Sequence, residues 1–467
     1  MKVREAQVSI VLIRGSVVAL LVTEAILTLL CYWGGAALTY TGDLDLYLWY
    51  ENGAVAMGLV TGSVLLGIYF NDLYDQIRVQ SRILLLQQFC LVIGLAFLAQ
   101  ALLSYANREL MLPRWTMIAG SSGALVVLPL WRVFYSGLVV RALGSRKVLF
   151  VGQNQLVRQI SEYVTSRPDF AIQPVGYLAE SESEEQCEYT GPYHGTLADL
   201  KAVAAKLKPD LIAVGLEERR GKLPIYDLLD LRLRGVRIED VASLYESIYG
   251  RVSVRTIRPS QLVFTSELGP NPRHVSLQNF YSFAIALVGA IITAPIMLIV
   301  AVLVKLTSKG PALYRQTRVG LNGQEFQVFK FRSMYVDAEA RTGAVWASKN
   351  DPRITPLGRY LRKLRLDELP QFFNVLRGEM SIVGPRPERP EFVKTLAEQI
   401  PFYGQRHSVK PGVTGWAQIN HKYGDTIEDT ISKLEYDLYY LKHLGPGLDF
   451  YIIFQTAKVM LLSRGAQ

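Results

Sequence analysis

The chain has 467 residues, half of them hydrophobic and only 19% charged, with a formal net charge of +9. That length exceeds one ordinary domain, and that balance argues against a wholly soluble or a disordered protein and for membrane segments joined to soluble parts. The positive excess suits anionic lipid or phosphorylated substrates; no nucleic-acid module accompanies it, so nucleic acid is not expected as a partner. The cysteines Cys31 and Cys90 fall in apolar runs and Cys187 stands alone, a pattern that supports neither a disulfide framework nor a zinc site.

Four apolar runs come first, at 8–33, 52–70, 83–104 and 115–138, each near the length of a spanning helix, so 1–140 is read as a four-helix transmembrane bundle. Arg14 and Glu24 interrupt the first run. Ten residues on one helix separates them by about 15 Å, so Arg14 is expected to snorkel to the interface and Glu24 to be buried in the bundle. Lys2, Arg4, Arg14, Arg78 and Arg82, then Arg132 near the end of the fourth run with Arg141, Arg146 and Lys147 after it, place both the N-terminus and everything beyond Lys147 in the cytoplasm. Arg108 and Arg114 in the third loop dissent.

From 141 to 245 the pattern becomes α/β. A short apolar run at RKVLFVG leads into an amphipathic helix, and further strands are expected at 211–216 and 236–241 with helices near 197–207 and 224–234, a Rossmann-like parallel sheet. Gly152 is followed by Asn154 and Val157 where a dinucleotide fingerprint needs glycines, so a structural or regulatory domain is expected rather than a dinucleotide site. The stretch 246–278 reads as a cytoplasmic linker. The next run, 280–304, carries no charge and is long enough to cross a bilayer, but Pro295 near its middle removes a backbone hydrogen bond and predicts a kink.

The segment 306–467 opens on a basic hairpin, with Arg315, Arg318, Lys330 and Arg332 on strands around a Gly320 to Gly323 turn. Its densest chemistry is TPLGRYLRKLRLDELPQFFNVLRGEMSIVGPRPERP at 355–390. Leucine spacing predicts two short helices joined at Asp367 and Glu368, with Pro370 in the first turn of the second and Gly378 at its end. Both carboxylates are therefore expected at a helix N-terminus, with Arg362, Lys363 and Arg365 close by and pKa values depressed, as a nucleophile or a metal ligand requires. Stiff Gly-Pro and Arg-Pro steps hold Arg386 where its guanidinium can grip a phosphate. His407, His421 and His443 are too scattered for a metal triad.

At these residues the sequence resembles the bacterial sugar transferases, the large-form monotopic phosphoglycosyl transferases that move a hexose-1-phosphate onto polyprenyl phosphate to initiate exopolysaccharide synthesis. The matching stretches are GPALYRQTRVGLNGQEFQVFKFRSM at 310–334, LRKLRLDELPQFFNVLRGEMSIVGPRP at 361–387 and KPGVTGWAQIN at 410–420. The resemblance implies that Asp367 is the nucleophile and Mg²⁺ ligand and Glu368 its acidic partner. It implies phosphate contacts for Arg362 and Arg386, with Pro387 in the same motif, and a place near the substrate for Arg332, with Lys330 taken alongside it. A basic face resting on anionic headgroups is a second reading of the hairpin. Lys422 stands where the family has an arginine, keeping the charge and losing the fork.

The resemblance also implies that 279–305 is a re-entrant membrane helix broken near Pro295, with Ala294 where the family has serine and Thr293 as a substitute, and that 306–467 is a small, mostly α catalytic domain. It further implies two-step transfer from a UDP-sugar, glucose or galactose by default, to undecaprenyl phosphate with release of UMP. The expected setting is the bacterial inner membrane, with bilayer lipids as partners, the catalytic domain on the cytoplasmic side and a homodimer as the assembly. Two other readings stand beside it: a membrane-tethered Rossmann-type nucleotide-sugar modifying enzyme, and a scaffold or transporter component built on the bundle.

Overall fold

The computed structural model describes residues 4–71, 73–74, 82–107, 110–143, 146–166, 172–180, 191–216, 218, 222–255, 272–336, 338, 351–421 and 426–461, with side chains described from 17 onward except at 84, 104–106, 139–143, 459 and 461. The chain forms two compact units, divided after Val241.

The first unit begins with helices α1 (Arg4–Thr39), α2 (Leu44–Tyr50), α3 (Gly53–Phe70), α4 (Arg82–Ala106) and α5 (Arg114–Leu143). All but α2 are long and apolar enough to cross a membrane. Glycine lets α1 and α5 approach closely: a Cβ on Gly120 would fall inside the Tyr32 ring, and one on Gly35 would meet the Gly120 backbone. Hydroxyl pairs fasten the same seam, Tyr32 to Ser121 and Thr39 to Thr116, each at 2.9 Å. The short α2 was not expected from sequence; Asp43 caps it by accepting from the Asp45 and Leu46 amides, and its last two residues, Trp49 and Tyr50, are exposed.

Glu24 is fully buried, as expected, and its partner is Arg132. The Arg132 Nε donates to Glu24 Oε1 at 2.6 Å, Nη2 to Oε2 at 3.3 Å, and Nη1 to the Leu73 carbonyl at 2.5 Å. The guanidinium also lies over the Tyr74 and Phe89 rings. Arg132 was counted from sequence as a flanking cytoplasmic charge; it is instead 3% exposed inside the bundle, because a carboxylate one helix away supplies the counter-charge that burial demands.

The α/β part is a parallel five-stranded sheet in the order β3-β2-β1-β4-β5, made of β1 (Arg146–Val151), β2 (Ile172–Ala179), β3 (Tyr193–Thr196), β4 (Leu211–Val214) and β5 (Arg237–Asp240). Helices α6 (Gln155–Ser166), α7 (Leu200–Leu207) and α8 (Ile225–Leu233) accompany it. This is the doubly wound arrangement, whose ligand crevice opens between β1 and β4. Here that crevice is filled from within. Asn154 Oδ1 accepts the Val157 amide at 2.9 Å and so occupies the start of α6, Val157 packs where a Cβ on Gly215 would sit, and Leu216 closes over Gly152. Purified protein is accordingly expected to carry no NAD or FAD; stoichiometric dinucleotide in a denatured extract, separated by chromatography, would contradict this.

The second unit contains α9 (Val241–Tyr249), α10 (Pro272–Thr307), the antiparallel pair β6 (Leu313–Val319) and β7 (Glu325–Phe331), α11 (Pro356–Lys363), a 3-10 turn at Leu366–Glu368, and α12 (Gln371–Leu376). It continues through β8 (Ser381–Val383), α13 (Pro390–Gln399), a 3-10 segment Tyr403–Ser408, β9 (Gly412–Thr414), α14 (Trp416–Asn420), α15 (Ile427–Lys442) and α16 (Pro446–Leu461). The unit is mostly helical, and the hairpin has the predicted turn. The described part of the linker is tied down: Val252 N donates to the Glu435 carbonyl at 3.0 Å, Trp416 Nε1 to the Gly250 carbonyl at 2.7 Å, and Arg251 lies among the Tyr245, Tyr249 and Tyr436 rings.

Helix α10 is continuous, with Pro295 inside it, and Thr293 Oγ1 donates to the Gly289 carbonyl at 2.7 Å. One stripe is buried along its whole length: Gln278, Ser282, Ala286, Ala290, Met297, Val300 and Val304. Before Pro295 the stripe packs with Val375, Met380 and Val383, and beyond it with Phe331 and Leu361. Gly289 admits the Phe372 ring directly against the helix backbone. The remaining faces expose Phe280, Leu287, Ile291, Leu298 and Val302.

Candidate active site

The site is assembled where β7, α11 and α12 meet. Thr355 Oγ1 caps α11 by accepting the Gly358 amide at 2.9 Å, with Pro356 in the first turn. Gly358 lies against the Ser333 backbone, where a side chain has no room. After α11 the chain turns through Arg365 at φ 53°, a left-handed conformation unusual outside glycine that costs about 1–3 kcal/mol and is held by the packing on either side. The turn sends Asp367 inward, to 7% exposure, and brings Arg365 back to Glu368. Pro370 then caps α12, and Gly378, at φ 76°, ends it.

Asn374, fully buried, fixes α12 to β7. Its Oδ1 accepts the Phe329 amide at 3.0 Å, and its Nδ2 donates to the Gln327 carbonyl at 2.7 Å and to Glu379 at 2.7 Å. The neighbouring Lys330 thereby reaches the Asp-Glu turn, its Nζ donating to Glu368 Oε1 at 3.1 Å. Arg386 Nη2 donates to the same oxygen at 2.7 Å, and Arg365 pairs with Oε2 at 3.5 Å.

The two carboxylates therefore differ sharply. Burial tends to raise the Glu368 pKa, but Arg386, Lys330 and Arg365 hold it well below the usual carboxylate range. Asp367 makes no hydrogen bond or ion pair among the described residues, and burial together with the Glu368 charge raises its pKa against the pull of Lys330, Arg362 and Arg386. The expectation that both are depressed is corrected for Asp367: the cations are present, but their direct contacts go to Glu368. Arg362 faces this turn with a buried Nη1 that has no partner among the described residues.

The loop carrying Arg386 and Pro387 is gripped from two sides. Arg318 Nη1 donates to the Pro387 carbonyl at 3.0 Å, and Arg406 Nη2 donates to the Arg386 carbonyl at 2.9 Å while pairing with Asp437 at 2.8 Å. Tyr403 accepts a further bond from Arg406 at 2.9 Å. Burial pushes the Asp437 pKa up to about 6 despite Arg406, whereas His407, buried beside that cation, is pushed down to about 4. His443 caps the end of α15 and pairs with Glu246 at 2.7 Å, well apart in role from any metal triad.

Asp367, Glu368, Arg362, Arg386, Pro387 and Lys330 are thus brought together. Arg332 is not: its Nη2 donates to Ser308 O and Oγ, each at 2.8 Å, and its Nη1 to Lys309 O at 2.9 Å, so it caps the C-terminal end of α10. Lys422 lies outside the described residues. Asn374, Arg406 and Asp437 were missed from sequence. Asn374 and Arg406 work through backbone groups distant in the chain, and Asp437 through the Arg406 guanidinium, so no local window of sequence shows these partners.

Among the described residues no group of three or more acidic, His or Cys side chains could cage a metal. An ion carried by phosphates asks for less, since Mg²⁺ binds through one or two carboxylates with substrate phosphates and water completing its shell. Asp367, a buried carboxylate with no partner among the described residues, fits that demand, and Glu368, occupied by three cations, does not.

Comparison with known proteins gives a consistent result. The sequence profile of the bacterial sugar transferase family matches residues 273–463. An Aeromonas hydrophila UDP-N-acetylgalactosamine-undecaprenyl-phosphate N-acetylgalactosaminephosphotransferase is 33% identical over 395 residues, 79% of this chain and 88% of that protein. UDP-glucose:undecaprenyl-phosphate glucose-1-phosphate transferases are also similar. The one from Xanthomonas campestris is 35% identical over 73% of this chain and 72% of its own length, and that from Escherichia coli 31% identical over 74% and 80%. A shared architecture of this extent, reaching well beyond the catalytic domain into the N-terminal half, makes the chain a member of the bacterial sugar transferase family and a phosphoglycosyl transferase.

Proposed function

We propose that the chain transfers a hexose-1-phosphate from a UDP-sugar to undecaprenyl phosphate at the cytoplasmic face of the membrane, releasing UMP, with Asp367 as the covalent nucleophile. The observation that carries this reading is the asymmetry of the pair: Glu368 is saturated by Arg386, Lys330 and Arg365, while Asp367 stands buried beside it, without a partner among the described residues, within the field of Lys330, Arg362 and Arg386. A carboxylate meant only to hold the fold would take the ion pairs; one meant to attack must be left free.

In the first step an Asp367 Oδ attacks the phosphorus that bears the sugar. The bond to the bridging oxygen breaks, the electron pair leaves with UMP, and an acyl phosphate remains on Asp367. In the second, an oxygen of undecaprenyl phosphate attacks the same phosphorus, Asp367 leaves as carboxylate, and the lipid carries a sugar diphosphate. Arg362 and Arg386 meet the phosphate oxygens, and Lys330 adds charge beside them. Glu368 keeps Arg386 and Lys330 oriented toward the reacting group. Asp367 and the donor phosphates would hold Mg²⁺, which would supply charge neutralisation at the phosphate of the departing UMP.

The placement of α10 supports a site at the membrane surface. Gln278 and Val304 both contact the catalytic domain, and 26 residues of helix between them span about 39 Å, more than the roughly 30 Å hydrocarbon core. A helix anchored to one domain at both ends cannot deliver its two ends to opposite sides of the bilayer, so α10 is read as lying within a single leaflet, its exposed apolar faces in lipid.

Multiple-turnover UMP release from UDP-glucose, UDP-galactose or UDP-N-acetylgalactosamine is expected to require undecaprenyl phosphate and to fall to background with EDTA. Sustained turnover indifferent to the lipid, or to the chelator, would overturn the proposal.

A further inference from the structure

A cavity of about 270 Å³ lies between the first half of α10 and the end of α12, lined by Asn279 and Ser282 on one side and Arg377, Gly378 and Lys410 on the other. The Lys410 ammonium is half-buried close to Gly378, and Arg377 stacks over the Phe329 ring at 4.8 Å. Neither side chain has an ion pair or a hydrogen bond among the described residues. Glu379, the nearest acid in sequence, is already engaged by Asn374 at 2.7 Å. Burial without a counter-charge holds the Lys410 pKa below the usual lysine value, a cost that a bound anion would reverse.

A second, wholly apolar groove of about 430 Å³ continues along α10, lined by Ile285, Val288, Gly289, Ile292 and Thr293. Ser282, Ile285, Gly289 and Ile292 follow one another at helical spacing on one face, so the groove begins where the cationic cavity ends. We propose that cavity and groove together form one binding site for an anionic phospholipid, its headgroup phosphate met by Lys410 and Arg377 and an acyl chain lying along α10 past Gly289. The polar end sits toward the helix start and the apolar end toward its middle, the order in which a bilayer presents headgroup and tail. A free phosphate would have no use for the groove.

The lipid here is not the acceptor. Arg377 follows the last residue of α12, whereas Asp367 lies in the turn that precedes it, so the two stand at opposite ends of that helix. Its role is to fix the depth and rotation of α10, on which Phe372 and the carboxylate turn rest. The inference stands on the cavity and not on the transfer reaction.

The test uses full-length protein purified in a nonionic detergent, with the thermal midpoint followed on adding phosphatidylglycerol, phosphatidylcholine of the same chains, undecaprenyl phosphate or inorganic phosphate. Phosphatidylglycerol is expected to raise the midpoint by several degrees and phosphatidylcholine to leave it unchanged. Lys410→Gln with Arg377→Gln should lose that gain, while the exposed control Lys363→Gln keeps it. Should the double variant not fold, each single substitution is expected to halve the gain. Isotope exchange of UMP in the same lipid-free detergent should be unaltered by the pair, separating failure of this site from failure of the transfer chemistry. The proposal is overturned if the variants retain the phosphatidylglycerol gain, if phosphatidylcholine or inorganic phosphate reproduces it, or if undecaprenyl phosphate alone produces a shift that Lys410→Gln abolishes.

Discussion

Asp367→Asn is expected to remove sugar-phosphate transfer by about four orders of magnitude or more, because an amide cannot form the acyl phosphate on which both half-reactions depend. The loss should appear in kcat with the protein still folded. Asp367 has no hydrogen bond or ion pair to lose among the described residues, and its carboxyl pKa is raised by burial and by Glu368. A raised carboxyl pKa means the folded state holds that proton more tightly than the unfolded one, so ionisation weakens folding as pH rises through the folded value. Removing the charge should leave the thermal midpoint at neutral pH unchanged or slightly higher. Glu368→Gln should behave differently. It releases Arg386, Lys330 and Arg365 from their shared partner, so activity falls and stability falls with it. An Asp367→Asn protein that keeps more than about a hundredth of wild-type turnover would rule out the covalent role.

Glu24→Gln is expected to cost the bundle about 3–5 kcal/mol, the range for breaking a buried ion pair on one side. Glu24 is 0% and Arg132 3% exposed, and both lie on helices long and apolar enough to cross a membrane, so an unpaired guanidinium there has no water to turn to. The loss should be visible as a large fall in thermal midpoint in detergent and in the amount of protein recovered from membranes. The pair is worth little against an apolar replacement, so Glu24→Gln with Arg132→Met should recover much of what Glu24→Gln loses. If Glu24→Gln alone leaves the midpoint within about a degree of wild type, the pair does not hold the bundle.

Local signals carried much of this fold. Apolar runs marked the spanning helices, the leucine spacing and Pro370 marked the α11, turn and α12 sequence, and the Gly320 to Gly323 turn marked the hairpin. Strands β2 and β3 escaped because Pro174, Gly176 and Gly195 break the expected strand pattern, and the sheet tolerates them through register shifts in both pairings of β2. Arg132 read as a flank because a charge at the end of an apolar run ordinarily snorkels; only the position of Glu24 on another helix draws it inward. The difference between Asp367 and Glu368 was likewise hidden. Adjacent carboxylates share one local sequence, and which of them receives Lys330 and Arg386 is decided by the Arg365 turn and the Asn374 clamp, both products of tertiary packing.

The central claim is that Asp367 carries the sugar phosphate before the lipid arrives, and isotope exchange tests it most directly. Full-length protein is incubated with Mg²⁺, unlabelled UDP-sugar and radiolabelled UMP in the absence of undecaprenyl phosphate, and UDP-sugar is recovered and counted. Reversal of the first half-reaction predicts label in the UDP-sugar for the wild type and none for Asp367→Asn. No exchange, from a preparation that turns over fully once undecaprenyl phosphate is added, would contradict the account and point to direct attack by the lipid phosphate.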